Sequence, residues 1–340
     1  MSTDVPRAPS LASTAASAEP ALSEPYVNAS VSAPAAMPAC APQAAALARQ
    51  VRRLAGLPEA PWLHAEVARR LAEKLGPIRI EPQDWLDWSA FLGAGAEAVH
   101  ARYPEARRWL MEPTEALAER SRQQWQASHQ QPWWARWRKS APPVATAGGP
   151  LPEGWPADGM QMLWANMTLH ASADLPALMG QWHRLLATDG FLMCSGLGPD
   201  TARELRTAWR ELGWPLPTID FIDMHDLGDA LVKAGFQDPV MDMERLTLTW
   251  DSAEAMLAEL RTWGGNVAVG RHAGLRTPRW HRALRDALTR HCMRPDGRLG
   301  LTLEVVYGHA IKPLPKIRLE AEARVSLDDM RRMVRKGSAS

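Results

Sequence analysis

Leu63, Val67, Leu71 and Leu75 recur every fourth position, which predicts an apolar stripe along a helix that stops at Gly76 and Pro77. Strand and helix signals then alternate. The apolar segment 85–88 predicts a first strand, a helix follows over 94–102, and a second strand lies around 109–111. Thr114 as N-cap, with Glu115 in the first turn, opens the next helix. Beyond a Trp- and Pro-rich interval, 160–164 predicts a buried strand. Leu175, Leu178, Met179, Trp182, Leu185 and Leu186 share one helical face, with Pro176 in the first turn and Asp189 and Gly190 closing the helix before a strand at 191–195. Helix patterns at 199–212 and 224–234, the second with Gly235 as C′, precede Leu246, Leu248 and Trp250, which alternate with Thr247 and Thr249 as in a half-buried strand. A helix over 252–263 and another bearing Trp280, Leu284 and Leu288 lead through an Asp296-Gly297 turn to Leu301, Leu303, Val305 and Tyr307, an antiparallel closing strand. Alternating βα units predict an α/β domain whose parallel sheet carries helices on both faces.

Composition sets the limits of this domain. Residues 1–45 are dominated by Ala, Pro and Ser and predict a disordered tail, because too little apolar area is available to offset roughly 1 to 2 kcal/mol of backbone entropy per residue. The domain then spans 46–313, and a charged tail with Arg331, Arg332, Arg335 and Lys336 occupies 314–340. Lys and Arg number 39 against 38 Asp and Glu, so no broad cationic field exists to bind nucleic acid. No stretch approaches the ~20 apolar residues of a membrane span. Cys40, Cys194 and Cys292 are too few and too far apart for a disulfide framework or a paired-cysteine metal site, which fits the cytoplasm.

Several side chains carry candidate chemistry. Asn166 and His170 follow a strand end, where they either face a substrate or bond loop backbone. His225 with Asp223 and Asp226 has no matched second cluster, so a helix N-terminus is the simpler reading and no metal is expected. Cys194 lies in an apolar strand as a core thiol. Trp125, Trp133, Trp134 and Trp137, interleaved with Arg136, Arg138 and Lys139, either dock an acidic partner or pack on the sheet with the cations solvated. Arg261, Arg271 and Arg276 are either bidentate partners for a carboxylate or ordinary surface cations. No catalytic residue is assigned.

Segments 162–170, 182–186, 189–193 and 197–205, in that order and spacing, resemble the fourth-to-fifth-strand block of the malonyl-acyl-carrier-protein O-methyltransferases of biotin synthesis. Segments 221–229, 240–246, 260–266 and 303–313 resemble the C-terminal half of the same family. The resemblance covers residues 49–313 and is strongest from Met162 onward. It implies a class I, Rossmann-like methyltransferase with a seven-stranded sheet, mostly parallel with an antiparallel last strand. It further implies S-adenosylmethionine as cofactor and the free malonyl carboxylate on an acyl carrier protein as substrate. The competing expectation is a catalytically impaired descendant that keeps the carrier-protein or partner surface.

In doubly wound sheets the ligand lies beyond the strand ends, with glycines after the first strand and an acid ending the second. Aligned without gaps, the family's Asp-x-Gly-x-Gly-x-Gly pattern falls on Asp87, Ser89, Phe91 and Gly93, so two of three glycines are replaced. A shifted register uses Gly93-Ala94-Gly95 instead and lengthens the strand. The resemblance assigns cofactor contacts to Asp87, Ser89, Gly93, Gly95, Glu112 and Asn166, with Glu112 on the ribose. Gln161 stands where the family often has Asp, and 144–152 offers no acid for the adenine. The ring of Phe91 is expected to fill part of the cofactor space.

Overall fold

The computed structural model describes residues 41–128, 141–272 and 274–314. The Ala/Pro/Ser-rich segment through residue 40, the Trp/Arg segment from residue 129 and the charged end from residue 315 lie outside it. Seven strands form one sheet: β1 (Asp84–Trp88), β2 (Arg107–Glu112), β3 (Val144–Thr146), β4 (Met160–Ala165), β5 (Leu186–Leu197), β6 (Gln237–Trp250) and β7 (Leu299–Ile311). Their order is β3-β2-β1-β4-β5-β7-β6. β1 through β5 pair in parallel, whereas β7 runs antiparallel to both β5 and β6. This is the class I methyltransferase topology that the resemblance implied.

Five of the six residues of β4 are buried, as the central strand of a sheet covered on both faces requires. On one face α6 (Leu175–Leu185) and α8 (Met224–Lys233) cover Leu86, Trp88, Trp109, Leu163 and Leu192. On the other, α2 (Trp62–Glu73) and α4 (Ala96–Arg102) cover Trp85, Met162, Trp164 and Phe191. A third cluster joins α7 (Arg203–Glu211), α9 (Ala253–Thr262) and α10 (Pro278–Cys292) through Leu205, Trp209, Met256, Leu284 and Leu288. The edge strand β6 has no fully buried residue and bulges near Gln237, where Asp238 takes φ 48°. Among the described residues no helix is long and apolar enough to cross a membrane.

Four expectations need correction. The tail boundary at residue 45 falls inside α1 (Ala44–Ala55): Ala46 and Leu47 are buried, and Gln43 N–H bonds the Val267 carbonyl. The helix expected over 94–102 starts at Ala96 as α4, because Ala94 takes the left-handed conformation at φ 50° and ends a separate single turn, α3 (Ala90–Gly93). Asp189 and Gly190 do not close α6 but kink β5 from within, since Asp189 N–H and the Gly190 carbonyl both pair with Lys312 beyond β7. The helix expected from 199 starts at Arg203, because left-handed Ala202 gives its N–H to the Thr302 carbonyl. β3 carries no sequence signal: three residues cannot display a period.

Candidate functional site

β1, β2, β4 and β5 end at one edge of the sheet, and the connections leaving them build the site. After β1 the chain turns at Ser89, whose φ of 56° places a side-chain-bearing residue where a glycine costs less, by roughly 1 to 2 kcal/mol. Phe91 avoids that strain by lying in the α3 turn. Its ring is buried among Leu54, Ala55, Leu92 and Leu117, under the Arg120 guanidinium at 5.0 Å, so it joins α1 to α5 (Glu115–Ser128). The expectation that the ring occupies cofactor space is therefore corrected. β1 stops at Trp88, which favours the ungapped register over the longer strand of the shifted one.

Glu112, at the end of β2, is wholly buried. Its Oε1 accepts the Phe91 N–H at 2.7 Å and the Ser121 hydroxyl at 2.5 Å, while Oε2 has no partner among the described residues. Burial pushes its carboxyl up to about 7, against the opposing pull of those two donors. Asp87 is equally buried and is held by Arg108 Nε and Nη2 on Oδ2, leaving Oδ1 without a partner among the described residues. Burial raises its pKa too, with Arg108 opposing. Asn166 donates from Nδ2 to the carbonyls of His64 and Gly93 and accepts the Ser195 hydroxyl on Oδ1. Its amide thus braces the loop against α2 and β5. Gly93 has ordinary room for a Cβ, with nothing nearer than 3.7 Å. Gly95 has none, since a Cβ would lie 2.2 Å from Trp164 Nε1.

A ribose brings two hydroxyl donors, and the partnerless Oε2 of Glu112 is an acceptor of the kind it needs. On that observation the residues fit S-adenosylmethionine at Glu112, with Ser89 and Gly93 supplying the loop beside it. The Asn166 amide is engaged with His64, Gly93 and Ser195 and braces that loop. Gln161, in place of the family's acid, is spent on the backbone N–H groups of Gln83 and Asp84.

Beside this loop lies a cavity of about 500 Å³ running from His64 and Met167 to Trp280 and Leu284. Arg53, Arg261, Arg271 and Arg276 line it, together with four histidines, and its lining contains no Asp or Glu. Arg271 Nη1 donates to Gln43 Oε1 at 2.6 Å and the Ala268 carbonyl at 2.9 Å, and Arg53 Nη2 donates to the Arg261 carbonyl at 2.9 Å. Among the described residues none of the four forms a salt bridge. Burial, with a smaller push from His64, lowers the His170 pKa to about 3, so that imidazole stays neutral. His64 is lowered by burial as well, against its hydrogen bond to the Leu92 carbonyl. The four guanidinium groups therefore carry fixed positive charge into the cavity, whereas His64 and His170 are held toward the neutral form.

The three arginines singled out in the sequence converge here with His170. Arg53 and Gln50 were not anticipated, although Leu47, Val51 and Leu54 at offsets 0, 4 and 7 mark α1 as amphipathic. Asp223 caps α8 by accepting the His225 N–H, and among the described residues no cluster of metal-ligating side chains occurs. Cys194 is buried and its thiol is pushed up to about 12, as a core residue should be.

A methyltransferase domain model matches residues 61–238. The malonyl-[acyl-carrier protein] O-methyltransferase of Gallionella capsiferriformans is 36% identical over 265 residues, covering 77% of this chain and 88% of that protein. The protein of the same name from Laribacter hongkongensis is 37% identical over 285 residues, 83% of this chain and 92% of its own. That of Halorhodospira halophila is 36% identical over 255 residues, 74% and 82%.

Proposed function

The chain belongs to the malonyl-[acyl-carrier protein] O-methyltransferase family of S-adenosylmethionine-dependent methyltransferases, and from that premise we propose that it esterifies the free carboxylate of a malonyl group carried as a thioester on an acyl carrier protein. One observation supports this most: a 500 Å³ cavity beside the cofactor loop is lined by four arginines and no carboxylate. A substrate that must present an anion is drawn to such a cavity, and planar guanidinium groups orient a carboxylate through paired hydrogen bonds. Neither the relatives nor the cavity favours the alternative of a partner-binding protein without activity.

Bound S-adenosylmethionine supplies a methyl group already activated on a sulfonium. The nucleophile is a carboxylate that is ionised at neutral pH, so no general base is required and the side chains contribute chiefly position. Glu112 would hold the ribose, and Ser89 and Gly93 would line the loop. Arg271 and Arg276 would receive the malonyl carboxylate, while neutral His170 and the apolar wall of Leu197, Leu205 and Leu303 exclude water. We place the protein in the cytoplasm, consistent with its widely spaced thiols. Expression in a biotin auxotroph lacking its own malonyl-carrier methyltransferase tests the reading. Growth without biotin is expected, and a soluble protein that fails to rescue counts against it.

A further inference from the structure

Leu117, Ala118 and Ser121 lie on one face of α5, and all three are buried. Two are apolar, as a helix face packed on a sheet requires, and the third carries a hydroxyl. A serine inside a helix commonly returns its hydroxyl to the carbonyl four residues back. Ser121 instead reaches across to β2 and donates to Glu112 Oε1 at 2.5 Å. The Phe91 N–H, from the α3 turn, donates to the same oxygen at 2.7 Å. One donor on each oxygen would satisfy a carboxylate that served only to tie α5 and α3 to the sheet. Here both donors converge on Oε1, and Oε2 is shielded with no partner among the described residues.

That asymmetry fixes more than the rotamer of the side chain. An N–H can only donate, so Oε1 must accept, and a proton on Glu112, when present, sits on Oε2. Two donors on Oε1 favour the ionised carboxyl, whose free Oε2 bonds a hydroxyl about twice as strongly as a neutral acceptor does. Burial opposes the two donors and leaves the carboxyl at about 7, with Asp87 on β1 pushing the same way as burial and Arg108 on β2 pulling back. Arg120, beside Ser121 on α5, lies over the Phe91 ring. Resting on Glu112 as the ribose acceptor, we propose that Ser121 is a positioning residue for the cofactor: its hydroxyl clamps one oxygen of Glu112 so that the other meets the ribose as a charged acceptor. Ser121 acts on the cofactor through Glu112.

S-adenosylhomocysteine, titrated calorimetrically into the full-length protein across the neutral pH range, is the probe. Wild-type affinity should fall on acidification, with its inflection at the Glu112 pKa of about 7. Ser121→Ala should weaken binding on the order of tenfold at neutral pH, the worth of a hydrogen bond to a charged group, and move the inflection upward. Infrared titration of the unliganded protein reads the Glu112 carboxyl directly, its C=O band assigned by its loss in Glu112→Gln. Ser121→Ala should raise that titration, because a donor to the ionised form is gone, whereas packing loss that merely admits water would lower it. Melting temperature is recorded for every variant. Wild-type affinity and inflection in Ser121→Ala, or a carboxyl titration unchanged or lowered in it, would overturn the inference. Glu112→Gln scores the underlying reading separately. If it weakens binding while Ser121→Ala does not, the ribose reading stands and Ser121 only packs; if Glu112→Gln binds as the wild type does, both fail.

Discussion

Restoring glycine at positions 89 and 91 distinguishes a phenylalanine that fills the cofactor space from one that builds the scaffold. In the structure the Phe91 ring is 1% exposed and touches α1 and α5 side chains, so Phe91→Gly removes the centre of the cluster formed with Leu54, Leu92 and Leu117. Truncating such a ring to Ala costs about 3 to 5 kcal/mol, and a helical Gly adds roughly 0.5 to 1. Ser89→Gly acts oppositely. It relieves about 1 to 2 kcal/mol of left-handed strain and returns about 0.4 to 1 as extra entropy of the unfolded chain, so its net effect is a gain of about 0 to 1.5 kcal/mol. The double variant should therefore lose about 2 to 6 kcal/mol, a large share of the roughly 5 to 15 available to a folded domain. Urea unfolding of both single variants and the double measures this, with S-adenosylmethionine titrated into each. Ser89→Gly should unfold at the same or higher urea, and Phe91→Gly at much lower urea with no gain in cofactor affinity. A Phe91→Gly protein that keeps wild-type stability and binds the cofactor more tightly would refute the scaffold argument.

Three further outcomes follow from particular groups. Glu112 titrates near 4.5 when unfolded and near 7 when folded, so between those values the folded state holds more protons and stability falls as pH rises, levelling off above 7. The full difference is about 3 kcal/mol, and Glu112→Gln should flatten the urea midpoint across that interval, whereas a slope unchanged in the variant would clear Glu112 of responsibility. Gly95→Ala forces a Cβ onto buried Trp164 and should cost about 1 to 3 kcal/mol, while Gly93→Ala should be mild, and calorimetric melting of the two would contradict the geometry if their order were reversed. Deleting residues 1–45 removes the Gln43 bonds to Val267 and Arg271 and the first two residues of α1, unpinning the end of the helix that carries buried Ala46 and Leu47, so the melting temperature should drop, and an unchanged value would mean that α1 docks without them.

The sheet was legible because central parallel strands are apolar throughout, as in β4, and the start of α5 because Thr114 sits one residue before it and accepts the Leu117 N–H. Breaks were less legible. Ser89, Asp189 and Ala202 take positive φ without being glycine, each giving its N–H to a distant carbonyl that no local pattern reports, and Ala94 does so at the end of the α3 turn. At the site, Glu112 was found as the acid ending β2, and Arg261, Arg271 and Arg276 as either carboxylate partners or ordinary surface cations. That the three arginines share one cavity with Arg53 depends on α1 folding back against the 264–271 loop, a contact more than 200 residues apart in the chain. Asn166 was placed correctly at a strand end, but its role as a brace required knowing that His64, Gly93 and Ser195 surround it.

The central claim is that this chain moves a methyl group from S-adenosylmethionine to the malonyl carboxylate of a carrier-bound thioester. Purified full-length protein, S-adenosylmethionine and carrier protein loaded with either malonyl or acetyl groups would be incubated together, and the intact carrier weighed by mass spectrometry. The account predicts a methyl ester on the malonyl carrier, none on the acetyl carrier, and S-adenosylhomocysteine formed in equal amount. An unmodified malonyl carrier, in the presence of folded protein with bound cofactor, would contradict it.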